Sequence, residues 1–201
     1  MNDRKPRVGV LALQGDFEAH RKALASAGAE VVEVRTPEEL QSVDGLVIPG
    51  GESSTILKLL NETGLKEPLR EFGEQKPIFG TCAGAILLAS RVSNPVQESL
   101  ELMNIEVERN AYGRQLDSRI VKVQPADSRL PGEIEAVFIR APIIRAIGEG
   151  AKVLAAYNGD PVLVEQGRHL VATFHPELAR DNGVHSLFLE KIEASASSPR
   201  S

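Results

Sequence analysis

The sequence predicts an α/β fold: a doubly wound, mostly parallel sheet with flanking helices, followed by a β-rich second half. Three observations carry the prediction. Short, almost wholly apolar runs at Val8–Leu13, Gly45–Ile48 and Ile78–Phe79 lack the alternation of a half-solvated strand, so they suit strands covered on both faces of a parallel sheet. Segments with helical spacing separate these runs, and the connections are short, as in βαβ units. After about Ser93 the rhythm changes, and strand signals follow one another without long helices between them.

Taken in order, Val8–Leu13 is broken by Gln14-Gly15-Asp16, and Phe17–Ala27 carries helical spacing that stops at Gly28, a residue suited to the position just past a helix end. Glu30–Val34 is the second strand. Thr36-Pro37-Glu38-Glu39 supplies a capping residue, proline at the first helical position and Glu three residues after the cap, which announces a short helix. Gly45–Ile48 ends at Pro49-Gly50-Gly51. Ser53–Asn61 is a helix with Ile56, Leu57, Leu59 and Leu60 on its apolar side, and Lys66–Glu74 is another. Pro77 opens a strand, the small apolar run Ala83–Ala89 begins a helix, and Cys82 falls on the turn between them. In the second half Ile105–Arg109, Ser118–Gln124 and Glu135–Arg140 read as strands. Lys152–Tyr157 and Pro161–Gln166 flank Asn158-Gly159, a strong hairpin signal. His169–Phe174 ends at His175-Pro176-Glu177, and Asp181–Ile192 reads as a closing helix with Val184, Leu187, Phe188 and Ile192 inward. Residues 1–193 are expected to form one domain that extends a single sheet, and residues 194–201 a frayed, Ser-rich tail.

Composition narrows the function. The 201 residues, 42% hydrophobic and 25% charged, suit one sizeable core, and a net charge of -5 argues against a general nucleic-acid or anionic-membrane surface. The lone Cys excludes an internal disulfide and a Cys-based zinc cluster and fits a reducing, cytoplasmic compartment. The first apolar run, six residues from Val8 to Leu13, is too short for a signal peptide or a membrane span. No nucleic-acid, membrane, metal or cofactor role is expected.

The chemistry concentrates on Cys82. Gly80-Thr81-Cys82-Ala83-Gly84 has the form of a nucleophile elbow, in which flanking glycines relieve a sharp strand-to-helix turn and leave the central side chain exposed at the strand's end. A thiol there faces helix N–H groups and the positive end of the helix dipole, which favour thiolate. A lone cysteine in an apolar setting, without the glycine bracket, is more often a buried packing residue. In an extended segment His175 and Glu177 point to the same side, so the carboxylate can orient the imidazole, and Cys82, His175 and Glu177 would be nucleophile, general acid/base and orienter. His20, His169 and His185 have no carboxylate held beside them by such spacing and are assigned surface or packing roles. Gly50-Gly51-Glu52-Ser53 can turn backbone N–H groups toward a developing oxyanion, or can be a plain turn with Ser53 or Ser54 capping the next helix. It lacks the Gly-Lys-Ser/Thr ending of a phosphate loop.

Together, Phe79–Gly84, Pro49–Ser53 and Phe174–Glu177 resemble the class I, triad-type glutamine amidotransferases, whose fold is flavodoxin-like. Leu11–Gly15, Val107–Gln115 and Val137–Pro142 are similar to the glutaminase subunits of pyridoxal 5′-phosphate synthase, and the resemblance runs from about Val8 to Ile192. It implies hydrolysis of L-glutamine to glutamate and ammonia through a thioester on Cys82. The ammonia would pass to a separate lyase subunit that builds pyridoxal 5′-phosphate, in a hetero-oligomer and without a cofactor in this chain. It further implies that Gly50, Gly51, Glu52, Ser53, Arg109, Ile139 and Arg140 contact glutamine or its oxyanion. Competing readings are the glutaminase of another synthase, such as imidazole glycerol phosphate synthase, a non-catalytic regulator, and a redox-sensing cysteine.

Overall fold

In the computed structural model, which describes residues 4–111 and 118–197, the first half alternates strands and helices. These are β1 (Arg7–Leu11), α1 (Phe17–Ser26), β2 (Glu30–Val34), α2 (Pro37–Gln41), β3 (Gly45–Ile48), α3 (Ser53–Glu62), α4 (Lys66–Gln75), β4 (Ile78–Thr81) and α5 (Ala83–Leu88). The start of α2 forms as its sequence predicts, with the Thr36 hydroxyl accepting from Glu39 N and the Glu39 carboxylate accepting from Thr36 N. The later elements are β5 (Ala89–Ser93), β6 (Met103–Glu108), β7 (Arg119–Val123), β8 (Ile134–Phe138), β9 (Ile143–Ile147), β10 (Ala151–Tyr157), β11 (Asp160–Gln166), β12 (His169–Ala172) and α6 (Gly183–Ser197).

A seven-stranded sheet in the order β10-β11-β12-β4-β3-β1-β2 organises the molecule. β12, β4, β3, β1 and β2 run parallel, and β10 and β11 add antiparallel at one edge. Its central strands are covered on both sides. Leu46, Ile48, Ile78 and Val171 pack with the apolar faces of α2 to α5, whereas Val47, Phe79, Leu170 and Ala172 pack with α1 and α6. Two apolar layers explain why these strands read as unbroken apolar runs. Parallel pairing also brings the carboxyl ends of β1, β3, β4 and β12 to one edge, where such sheets bind ligands.

The second half departs from expectation in three respects. Only β10 to β12 extend the main sheet; β5, β6 and β9 form a separate three-stranded sheet, and β7 and β8 a two-stranded ribbon. Among these strands β6 alternates in burial, because it places one face on the core and leaves the other toward solvent. β5 and β9 were not expected. Ala83–Ala89 reads as one helix, yet α5 stops at Leu88, because Leu100 N and Leu102 N donate to the Leu87 and Leu88 carbonyls and Ala89 turns extended. The closing helix begins at Gly183 and runs to Ser197, so Ala194–Ser197 are helical rather than a frayed tail. Those residues contain no helix breaker, and the Ser197 hydroxyl donates to Glu193 O. Tyr112–Gln115 of the Val107–Gln115 segment, and residues 198–201, lie outside the described residues. Among the described residues no helix is long and apolar enough to cross a membrane.

Candidate active site

Cys82 sits between β4 and α5 with φ 50° and ψ -104°, a left-handed conformation that a cysteine seldom adopts and that turns the chain sharply into the helix. The flanking glycines are demanded by contact. A Cβ on Gly80 would stand 2.5 Å from the Gly84 carbonyl, and one on Gly84 would stand 2.2 Å from the Ile48 carbonyl of β3. The helix therefore lies directly over the strand it leaves. Cys82 N donates to Ala172 O at 2.8 Å, tying the elbow to β12. Ala83, the first residue of α5, has an N–H with no preceding helical carbonyl to bond.

β12 ends just before His175. The backbone N–H of His175 donates to Val137 O of β8 at 2.8 Å, and Pro176–Leu178 then forms a 3-10 turn. That turn, rather than continued extended chain, brings the Glu177 carboxylate round to the imidazole, with Nδ1 and Glu177 Oε1 2.6 Å apart. Nδ1 is thereby occupied, which leaves Nε2 for Cys82, with which the ring lines one cleft. Burial opposes charge on this ring, but the hydrogen bonds and charges of Cys82 and Glu177 outweigh it and raise His175 to about 10. The surroundings suit an imidazolium at His175.

A cleft of about 410 Å³ opens on Cys82 and His175. Gly50, Gly51, Glu52, Ser53, Arg109, Ile139 and Arg140, all singled out from the sequence, line it. The loop after β3 brings the first four, while the ends of β6 and β8 bring the others. The α3 cap differs from expectation: the Glu52 carboxylate, not Ser53 or Ser54, accepts from Ser54 N and Thr55 N. The hydroxyls of Ser54 and Thr55 also donate to it. Burial alone would raise Glu52, but these donors hold it at about 2. Its Oε1 also lies 3.1 Å from a terminal guanidinium nitrogen of Arg109. Ser53 is buried and donates to Gln97 Oε1.

Residues 10–194 match the SNO glutamine amidotransferase family. The chain belongs to this family. A pyridoxal 5′-phosphate synthase subunit PdxT from Solibacter usitatus is 62% identical over 190 residues, spanning 92% of this chain and 99% of that protein. The subunit of the same name from Koribacter versatilis is 57% identical over 187 residues, spanning 92% and 95%. A crystal structure described as a glutamine amidotransferase superimposes with a TM-score of 0.86 at 46% identity, covering 92% of this chain and 98% of that one. A chain in the structure of PurLQS from Thermotoga maritima shares the fold, with a TM-score of 0.65 at 17% identity over 96% and 97% of the two chains.

Two residues beyond those named as catalytic or glutamine-binding contribute to the site of this glutamine amidotransferase: Gln14, whose loop the sequence places at the carboxyl ends of the strands, and His20. The Gln14 side chain lines the cleft, and its Oε1 accepts from Glu52 N at 3.0 Å, which fixes the loop after β3. His20, assigned to surface or packing, is fully buried with Nε2 3.3 Å from Glu177 Oε2, so it does stand beside a carboxylate. No local spacing signals that contact, since the two residues come from opposite ends of the chain. His169 lies at the other end of the strands, beside a second cleft of about 370 Å³. Its Nδ1 accepts from Ile78 N, and burial together with the charge of Arg168 lowers it to about 4.

Proposed function

We propose that this glutamine amidotransferase hydrolyses L-glutamine to L-glutamate and ammonia, and that it supplies the ammonia to a synthase subunit making pyridoxal 5′-phosphate. The observation that carries the chemistry is the His175 ring, bonded at Nδ1 to the Glu177 carboxylate and lining one cleft of about 410 Å³ together with Cys82. The 62% and 57% identity to proteins named PdxT supports the choice of pathway.

In this reading the Cys82 thiolate attacks the side-chain amide carbon of glutamine, and the carbonyl electron pair moves onto oxygen. In this reading the N–H groups of Ala83 and of the Gly50-Gly51 loop, residues that line the cleft, supply the donors such an oxyanion needs. Collapse of the intermediate expels ammonia, which takes its proton from His175 Nε2, and leaves a glutamyl thioester. His175 then removes a proton from water as the water attacks the thioester, and returns it to the leaving sulfur. Glu177 holds Nδ1 throughout. In this reading Arg109, a forked cation bonded to Glu52 at the cleft wall, binds the α-carboxylate of glutamine, and Arg140, which lines the same cleft, contacts the substrate as well. The working form is a cytoplasmic hetero-oligomer with the synthase subunit, and residues 1–193 act as one domain.

The test is ammonia release from L-glutamine by the purified chain, alone and with a pyridoxal 5′-phosphate synthase subunit, with Cys82→Ser as control. Release that rises with the partner and disappears in Cys82→Ser is the expected result. No release in a complex shown to assemble would overturn the reading.

A further inference from the structure

Behind Cys82, His175 and Glu177 lie two more buried imidazoles to which the mechanism above gives no task. His20 on α1 and His185 on α6 are both fully buried. His20 Nε2 is 3.0 Å from the Thr81 hydroxyl, at the end of β4 next to Cys82, and 3.3 Å from Glu177 Oε2. His20 Nδ1 is 3.0 Å from His185 Nε2. At the far end, His185 Nδ1 is buried and has no hydrogen-bond partner among the described residues. Glu177 Oε2 likewise has no hydrogen bond of good geometry, although His20 Nε2 stands beside it.

Both rings are neutral at ordinary pH. Burial pushes His20 well below its usual value, with the His185 and His175 rings acting in the same sense, and burial lowers His185 to about 4. A neutral imidazole carries one N–H and one lone pair, so the question is which nitrogen holds the hydrogen. The contact between His20 Nδ1 and His185 Nε2 needs one hydrogen, and it can come from either ring. If His20 supplied it, His185 would carry its N–H on Nδ1, a buried donor with no acceptor, and the bare lone pair of His20 Nε2 would face a carboxylate oxygen. Both consequences are unfavourable. If His185 supplies it, the unpartnered Nδ1 is only a lone pair, and His20 presents an N–H toward Thr81 Oγ1 and Glu177 Oε2. The second arrangement wins at both ends of the chain of contacts.

Resting on the glutaminase reading above, we propose that His20 is a positioning residue for the reaction. His185 sets it in the Nε2–H form, and that N–H steadies the second oxygen of Glu177 while the first holds His175. His20 is not among the residues that line the cleft. The titratable groups packed about it are His185 from α6, Glu177 from the 3-10 turn and His175, with the edge of the Phe79 ring against its own.

The experiment has two arms, both on the full chain. In the first, the unaltered protein is labelled with nitrogen-15 in its histidine rings and examined by NMR near neutral pH. His20 and His185 are expected to be neutral with hydrogen on Nε2; hydrogen on Nδ1 of His20, or a charged His20, overturns the proposal. This arm needs no variant to fold. The second compares His20→Leu with His20→Gln in complex with the synthase subunit. In glutamine the side-chain N–H can occupy the place of the imidazole Nε2–H. His20→Leu should lower kcat for ammonia release about ten-fold while leaving KM within about two-fold. It should also displace the pH profile of iodoacetamide reaction with Cys82, which is unambiguous because the chain holds one cysteine. His20→Gln should recover most of both. A folded His20→Leu protein with unaltered kcat and pH profile overturns the role of His20 alone, provided the unaltered complex releases ammonia. If that complex is inactive, it is the glutaminase reading that fails.

Discussion

Gly50 stands over the imidazole of His175, and replacing it by alanine probes the site with a single methyl group. A Cβ built there lies 2.5 Å from His175 Cε1, 3.2 Å from Nδ1 and 3.4 Å from Cys82 Cβ. Gly50 is not in the left-handed region, so its backbone admits alanine, and what the substitution tests is contact alone. Restoring an ordinary carbon–carbon separation requires the ring to move by about 1 Å. The ring is tied at Nδ1 by the 2.6 Å contact with Glu177, so it cannot move that far without loosening this bond. A misplacement of about 1 Å in a reacting group costs about 100-fold, or about 2.7 kcal/mol of transition-state stabilisation. The assay is kcat for ammonia release by the complex, with thermal melting as a check on folding. Gly132→Ala serves as control, since a Cβ there meets nothing within 4 Å. A Gly50→Ala protein with wild-type kcat would refute the placement of His175 described above.

Two further outcomes are expected. Arg109→Gln removes the forked cation that Glu52 holds at 3.1 Å in the cleft wall, and should raise KM for glutamine about ten-fold with little change in kcat, as steady-state kinetics of the complex will show. The second concerns acid stability. His169 and His185 are lowered from 6.5 to about 4, mainly by burial. The unfolded chain therefore binds protons at these sites that the folded chain refuses, and stability present above pH 6.5 is lost as the pH falls toward 4. Between pH 7 and pH 5 each ring costs about 2 kcal/mol, measurable as a falling urea midpoint. A midpoint unmoved over that range would mean that the two rings are not held neutral.

The parts of this site that could be read from the sequence are those that local chemistry dictates. Gly80, Cys82 and Gly84 announce an elbow because only glycine tolerates carbonyls at 2.5 Å and 2.2 Å from where a Cβ would be. The unbroken runs at β1, β3 and β4 announce a parallel sheet because both of their faces are covered. His175 and Glu177 are two residues apart, so almost any backbone that keeps them on one side lets them meet. The expected extended segment and the observed 3-10 turn give the same pair by different routes. What stayed hidden depends on long-range contact. The end of α5 is set by Leu100 and Leu102, which take the carbonyls that would have continued it, and nothing within Ala83–Ala89 signals the stop. The His20–His185 contact joins residues 165 apart. Each of those two residues, viewed on its own helix, is one apolar-face position among many, and only the packing of α1 beside α6 on one face of the sheet makes them neighbours. Residues that act on the reacting atoms can thus be recognised from short motifs, whereas residues that support them are chosen by packing. A search for the supporting residues of such a site is best begun at the buried polar atoms whose hydrogen bonds do not close.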